Sequence, residues 1–107
     1  MSTYAVSFTI DYDATYVERY DSLMSEIRAS GKIWAETTSF CLVDSNETLE
    51  NLERRLFLSR FSPTRDKMLV VDVSLDRAIA RGAIEYPATL RSLLPLVEIK
   101  SAVTSHG

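Results

Sequence analysis

Residues 32–43 read Lys-Ile-Trp-Ala-Glu-Thr-Thr-Ser-Phe-Cys-Leu-Val, KIWAETTSFCLV, and the number of strands in this run decides the fold. The run is rich in β-branched and aromatic residues and reads as extended throughout. Twelve residues in one strand would span roughly 40 Å at about 3.3 Å each. A domain of this length has a radius of gyration of only about 13 Å. One straight strand does not fit. Two strands are expected, Ile33–Glu36 and Ser39–Val43, with the chain turning at the polar Thr37-Thr38, although neither glycine nor proline marks the turn.

On the N-terminal side, residues 4–10 alternate, with Tyr4, Val6, Phe8 and Ile10 on one face and Ala5, Ser7 and Thr9 on the other. That is the period of a half-buried strand. Thr15-Tyr16-Val17-Glu18 fits a capping box, in which hydroxyl and carboxylate satisfy the first helical amides. Behind it Tyr16, Tyr20, Leu23, Met24 and Ile27 form one apolar helical stripe. Gly31 is the expected stop.

On the C-terminal side, Asp44 or Ser45 is the expected cap of a second helix carrying Leu49, Leu52 and Leu56 on one face. RFSPTRDK, residues 60–67, is a turn-rich loop around Pro63. Met68–Val73 reads as a strand. The order β-α-β-β-α-β predicts an α+β fold, a ferredoxin-like sandwich with both helices on one face of an antiparallel sheet. This core covers about residues 3–74 of a single domain, 1–107. The extension, 75–107, is expected to hold short helices at 75–81, ended by Gly82, and at 88–94, opened by Pro87. A fifth strand is expected over Leu96–Val103, where alternation returns.

Composition agrees with an ordinary soluble domain, with 46% hydrophobic and 25% charged residues. No apolar run approaches the roughly 20 residues that span a bilayer, and MSTYAVSF lacks the basic start of a secretory signal. A cytoplasmic protein without a membrane partner is the expectation. Cys41 is the single cysteine, which excludes an internal disulfide and a cysteine-based zinc site. Its apolar neighbours suit a buried, inert thiol. Charge is uneven: residues 1–53 carry ten acids and three bases, residues 54–107 five acids and nine bases. The overall charge of −3 is not that of a dedicated nucleic-acid binder.

The stretches YAVSFTIDYD (4–13), AETTSFCLV (35–43), SNETLENLERRL (45–56) and DKMLVVDV (66–73), taken in this order, resemble the CRISPR-associated protein two family. Its members are the small dimeric partners of the CRISPR integrase, and the family has stand-alone relatives. The resemblance implies a homodimer, a CRISPR integrase and duplex DNA or RNA as partners, and a place in antiviral defence. It also implies a C-terminal tail that pairs with the partner's sheet edge. The family carries an aromatic residue followed by Asp near the end of the first strand, where the carboxylate takes a divalent metal at the dimer interface. Here Phe8 is followed by Thr9, and the aromatic–Asp pair recurs as Tyr12-Asp13.

Asp11 and Asp13 are therefore the candidate metal residues. Spacing i, i+2 aims both side chains to one side only if the strand runs through Tyr12; magnesium would then be the cofactor of an endonuclease. If the strand ends at Ile10, Asp13 belongs to the helix start, where a carboxylate meets the positive end of the dipole. The helix-start reading takes precedence, no cofactor is expected under it, and no catalytic residue is assigned. His106, the one histidine, stands in the C-terminal tail and supports no general base.

Arg54, Arg55, Arg60, Arg65 and Lys67 form a basic cluster interleaved with Phe57 and Phe61. Such a cluster is the candidate nucleic-acid-binding site, gripping phosphates through counterion release. The plainer alternative sets Arg54 and Arg55 at a helix C-terminus and leaves the others solvated, or paired with Glu50, Glu53 and Asp66. Trp34 and the five tyrosines suit packing. Three functions stay open: a non-catalytic dimeric adaptor holding duplex nucleic acid by its backbone, a metal-dependent endonuclease using Asp13 with Asp11, and a small-ligand or protein-binding regulatory module.

Overall fold

The alternating residues 4–10 do form the central strand. In the computed structural model, which describes residues 1–100, β1 spans Ser2–Thr9 and Tyr4, Val6 and Phe8 are buried. It is followed by α1 (Tyr16–Arg28), β2 (Ile33–Thr37), β3 (Phe40–Ser45), α2 (Leu49–Phe57) and β4 (Lys67–Asp72). The chain then adds β5 (Arg77–Gly82), α3 (Pro87–Leu93) and β6 (Val97–Lys100). The result is an α+β fold, with three helices and one six-stranded mixed sheet in the order β2-β3-β1-β4-β5-β6.

KIWAETTSFCLV is two strands, as the length argument requires. The turn falls at Thr38-Ser39, where Ser39 takes a φ of 54° in place of the missing glycine. The Cα radius of gyration is 13.0 Å.

Register sorts the sheet into two faces. Val6 lies across from Cys41 and Val70, and Tyr4 across from Val43. Under this face α1 buries Leu23, Met24 and Ile27, and α2 buries Leu49, Leu52 and Leu56. Each such side chain contributes about 1.5–3 kcal/mol on leaving water. The reverse face carries Ala5, Leu42 and Val71 in one row and Ser7, Phe40 and Leu69 in the next.

The extension departs from expectation. Residues 77–82 are strand β5, not part of a helix over 75–81. The Asp72 carboxylate accepts hydrogen bonds from the Ser74 and Leu75 amides at 2.9 and 3.2 Å, and Asp76 turns with a φ of 57°. These local bonds fold the chain back on β4 and override the helical propensity of Arg-Ala-Ile-Ala-Arg. Gly82 ends the strand because nothing larger fits: a Cβ there would lie 2.1 Å from the Asp66 carbonyl oxygen, at a φ of 110°.

The expected fifth strand is consequently the sixth. Its described part, Val97–Lys100, pairs in parallel with β5 of the same chain and forms the outer strand of the sheet; residues 101–103 of that expectation, and His106, lie outside the described residues. The expected second short helix is present as α3. It links parallel neighbours, and the right-handed rule for such crossovers lays it opposite α1 and α2. Ala78 and Ala80, the reverse-facing residues of β5, are buried. The expected arrangement, helices on one face of a purely antiparallel sheet, therefore holds only for the first four strands.

Both helix caps also differ. Thr48 caps α2, its hydroxyl accepting from the Asn51 amide at 3.1 Å, because β3 continues through Ser45. Thr15 precedes α1 without capping it: its hydroxyl donates to Asp13 and accepts from Arg19 Nε. The helix gives way to Ala29 before Gly31, whose own requirement is space, since a Cβ would sit 2.5 Å from Asp44 Oδ1.

Candidate functional site

The first strand ends at Thr9, so Asp11 and Asp13 lie in the loop before α1 rather than on an extended backbone. Asp13 Oδ1 accepts from the Thr15 amide at 2.8 Å and from Arg19 Nη2 at 3.0 Å; its Oδ2 pairs with Arg65. The Asp11 side chain is exposed, and no described residue bonds to its carboxylate. A cation reaching Asp13 would have to displace Arg19 or Arg65. Among the described residues no group of three or more His, Cys, Asp or Glu is placed to hold a metal ion.

The loop is organised by two residues that periodicity does not single out. Arg19, on the first turn of α1, is buried and has all three of its guanidinium nitrogens engaged. It donates through Nε to Thr15 Oγ1 at 3.0 Å, through Nη2 to the Asp11 carbonyl at 2.6 Å, and through Nη1 to Asp66. Asp66 has no solvent exposure. Its Oδ1 also accepts the Asp11 amide at 2.9 Å, its Oδ2 accepts the Ser62 amide at 2.8 Å, and its carbonyl accepts the Ala83 amide at 2.9 Å. One aspartate thus ties together the segments after β1, before β4 and after β5.

Arg65 and Lys67 belong to this end of the sheet, Lys67 pairing with Glu85 at 3.6 Å. The other basic residues do not join them. Arg60 pairs with Glu18 at 3.1 Å on the surface. Arg55 sits between the helices, donating to both Glu47 oxygens at 2.8 Å and to Glu26 at 2.9 Å. These hydrogen bonds hold the Glu47 carboxyl below the usual range and raise the Arg55 guanidinium above its own. Arg54 is exposed and has no acidic partner among the described residues. Five charges close in sequence are four separate places in space, and four of the five are neutralised.

A second buried pair was equally hidden in the sequence. Glu53, fully buried on α2, receives Arg81 of β5 through two bonds of 2.7 and 2.8 Å, with Lys100 at 3.9 Å. The Arg81 guanidinium lies 4.0 Å from the centre of the Phe57 ring, a cation–π contact. Cys41 is buried as expected, and burial pushes its thiol up, away from thiolate chemistry.

Comparison with known proteins finds no matching family model, no matching curated protein and no matching solved structure. No helix among the described residues is long and apolar enough to cross a membrane.

Proposed function

We propose that this protein is a non-catalytic, self-associating adaptor built on a ferredoxin-like unit. The order β2-β3-β1-β4, with α1 and α2 as its crossovers, supports the ferredoxin-like reading of the first four strands. The carrying observation is the reverse face of those strands. Trp34, Phe40, Leu42, Leu69 and Val71 all keep solvent exposure there, while the neighbouring β5 alanines are covered. An apolar sheet face without a helix over it suits a protein partner. Of the two acids that a nuclease would use, Asp13 is committed to two arginines, which supports the non-catalytic reading.

Sedimentation equilibrium at tens of micromolar tests the reading, with a dimer expected and a monomer overturning it. Titration with non-specific duplex in about 50 mM salt decides the nucleic-acid part. If the duplex binds, Arg54→Ala plus Arg60→Ala should flatten the salt slope by about one unit per lost phosphate contact; no binding by the unmutated protein removes duplex from the partners. Magnesium-dependent cleavage lost in Asp13→Ala would replace the adaptor with the endonuclease.

A further inference from the structure

The sheet has an open edge at β2, and the residues along it have a two-fold pattern. Lys32 bonds inward to Asp44: its carbonyl accepts the Asp44 amide at 3.0 Å, and its amide donates to Asp44 Oδ1 at 2.7 Å. Antiparallel ladders alternate, so Trp34, paired with Leu42, also faces inward. The alternation leaves the backbone groups of Ile33 directed outward, where no strand pairs with them, and continued one step past Trp34, where the register shift begins, it directs those of Ala35 outward too. Edges of this kind are ordinarily guarded by proline or inward-pointing charge. This one has neither at residues 33–35.

We infer that β2 is the seam at which a second copy of this chain adds, antiparallel, with the two-fold axis passing through Trp34. In that register Ile33 of each copy stands across from Ala35 of the other, and their outward amides and carbonyls exchange hydrogen bonds. Trp34 then meets its own counterpart at a non-hydrogen-bonded position, the closer of the two kinds of cross-strand pair. It is 40% exposed now and rests edge-on against Phe40. Lys32 takes the register position across from Glu36 of the other copy, twice by symmetry. Neither Lys32 nor Glu36 has an ion-pair partner among the described residues, so the lone charges of the edge complement each other across the axis. The register with β3 shifts between Trp34 and Thr37, which keeps the added ladder short. The contact is small beside standard interfaces of about 1,200–2,000 Å², and a weak, concentration-dependent dimer is expected.

The inference rests on the self-association proposed above and sets its contact at the β2 border of the reverse face, where Trp34 stands, and a charge swap tests the two separately. Lys32→Glu and Glu36→Lys each place like charges opposite one another at both symmetric positions. Each should raise the dimer dissociation constant about tenfold. The double variant restores complementarity and should recover the dimer to within about twofold of the unmutated protein. Ser7→Lys, in the middle of the reverse face and two strands away from β2, reports whether the contact lies on that face instead. A dimer indifferent to both single reversals, but lost in Ser7→Lys, overturns the edge and keeps the self-association, moving the contact to the sheet face. A monomer at every concentration overturns both. Far-ultraviolet circular dichroism on each variant shows whether the fold is retained.

Discussion

Asp66 and Glu53 are both fully buried, and each is paired with a buried arginine, yet the two sites are built differently. Asp66 binds Arg19 and also accepts the amides of Asp11 and Ser62, so its carboxylate replaces backbone partners that two converging loop segments lack. Glu53 meets only side chains, receiving Arg81 in a fork and Lys100 at a longer distance, with Phe57 lying against the Arg81 guanidinium. Asp66 therefore organises backbone; Glu53 fastens α2 to β5. The distinction matters because a buried pair without other duties is energetically replaceable, whereas one that satisfies main-chain donors is not.

Removing one partner should hurt at both sites. Asp66→Ala leaves the Arg19 charge with Asp13 alone and strands two amides, and a loss of about 3–5 kcal/mol in unfolding free energy is expected from urea titration. Glu53→Ala should cost slightly less, since the Arg81 side chain is 10% exposed and has a route to water. Removing both partners separates the sites. Glu53→Leu with Arg81→Leu should come out within about 1 kcal/mol of the unmutated protein, or above it. Asp66→Leu with Arg19→Leu should remain at least about 2 kcal/mol below, because the Asp11 and Ser62 amides lose their acceptor. Equal behaviour of the two double variants would abolish the distinction.

The Asp66 site is also enforced from the main chain. Gly82 lies against the Asp66 carbonyl with a φ of 110°, and a methyl group there cannot be absorbed by a side-chain movement. Gly82→Ala is expected to cost about 2 kcal/mol or more, from the strained backbone and the displaced Asp66 segment together. Gly31→Ala is the control at the opposite end. Its Cβ would meet Asp44 Oδ1, a side-chain atom, as well as the Asp44 carbonyl, so part of the clash can be relieved by rotation. A smaller loss is expected there, and the reverse order would contradict the weight placed on Asp66.

Much of this fold was legible because it is written in periodicity. Tyr4, Val6, Phe8 and Ile10 are all buried, and so are Leu23, Met24 and Ile27 of the first stripe and Leu49, Leu52 and Leu56 of the second. Strand β5 was hidden because Arg-Ala-Ile-Ala-Arg has Ile79 as its one strand-favouring residue and depends on the Asp72 turn and on cover over its alanines. The site was hidden for a related reason. Arg19 and Asp66 are 47 residues apart and look in sequence like ordinary surface charges. The basic cluster misled in the opposite direction: neighbours along α2 and its loop point different ways, Arg55, Arg60, Arg65 and Lys67 each find a different acid, and Arg54 stays exposed.

The smallest effect concerns pH and the salt link from Arg55 of α2 to Glu47, just before that helix. Arg55 donates two hydrogen bonds to Glu47, and the Ser45 hydroxyl donates a third at 2.8 Å; together they outweigh burial and lower the carboxyl's pKa. A carboxyl lowered on folding stabilises the native state above its unfolded pKa, about 4.3 for glutamate. That contribution is lost as pH falls through the lower, folded value, because the unfolded chain takes up the proton first. Glu47→Gln should therefore be less stable than the unmutated protein at pH 7, and the gap should narrow as the pH drops below about 4. Both side chains keep more than a quarter of their surface exposed, so screening by water and salt keeps the effect modest. Urea midpoints for the two proteins between pH 7 and pH 3 make the comparison. A gap of constant size would assign the loss to packing beside Tyr4, whose hydroxyl donates to the Glu47 carbonyl at 2.7 Å, rather than to the charge.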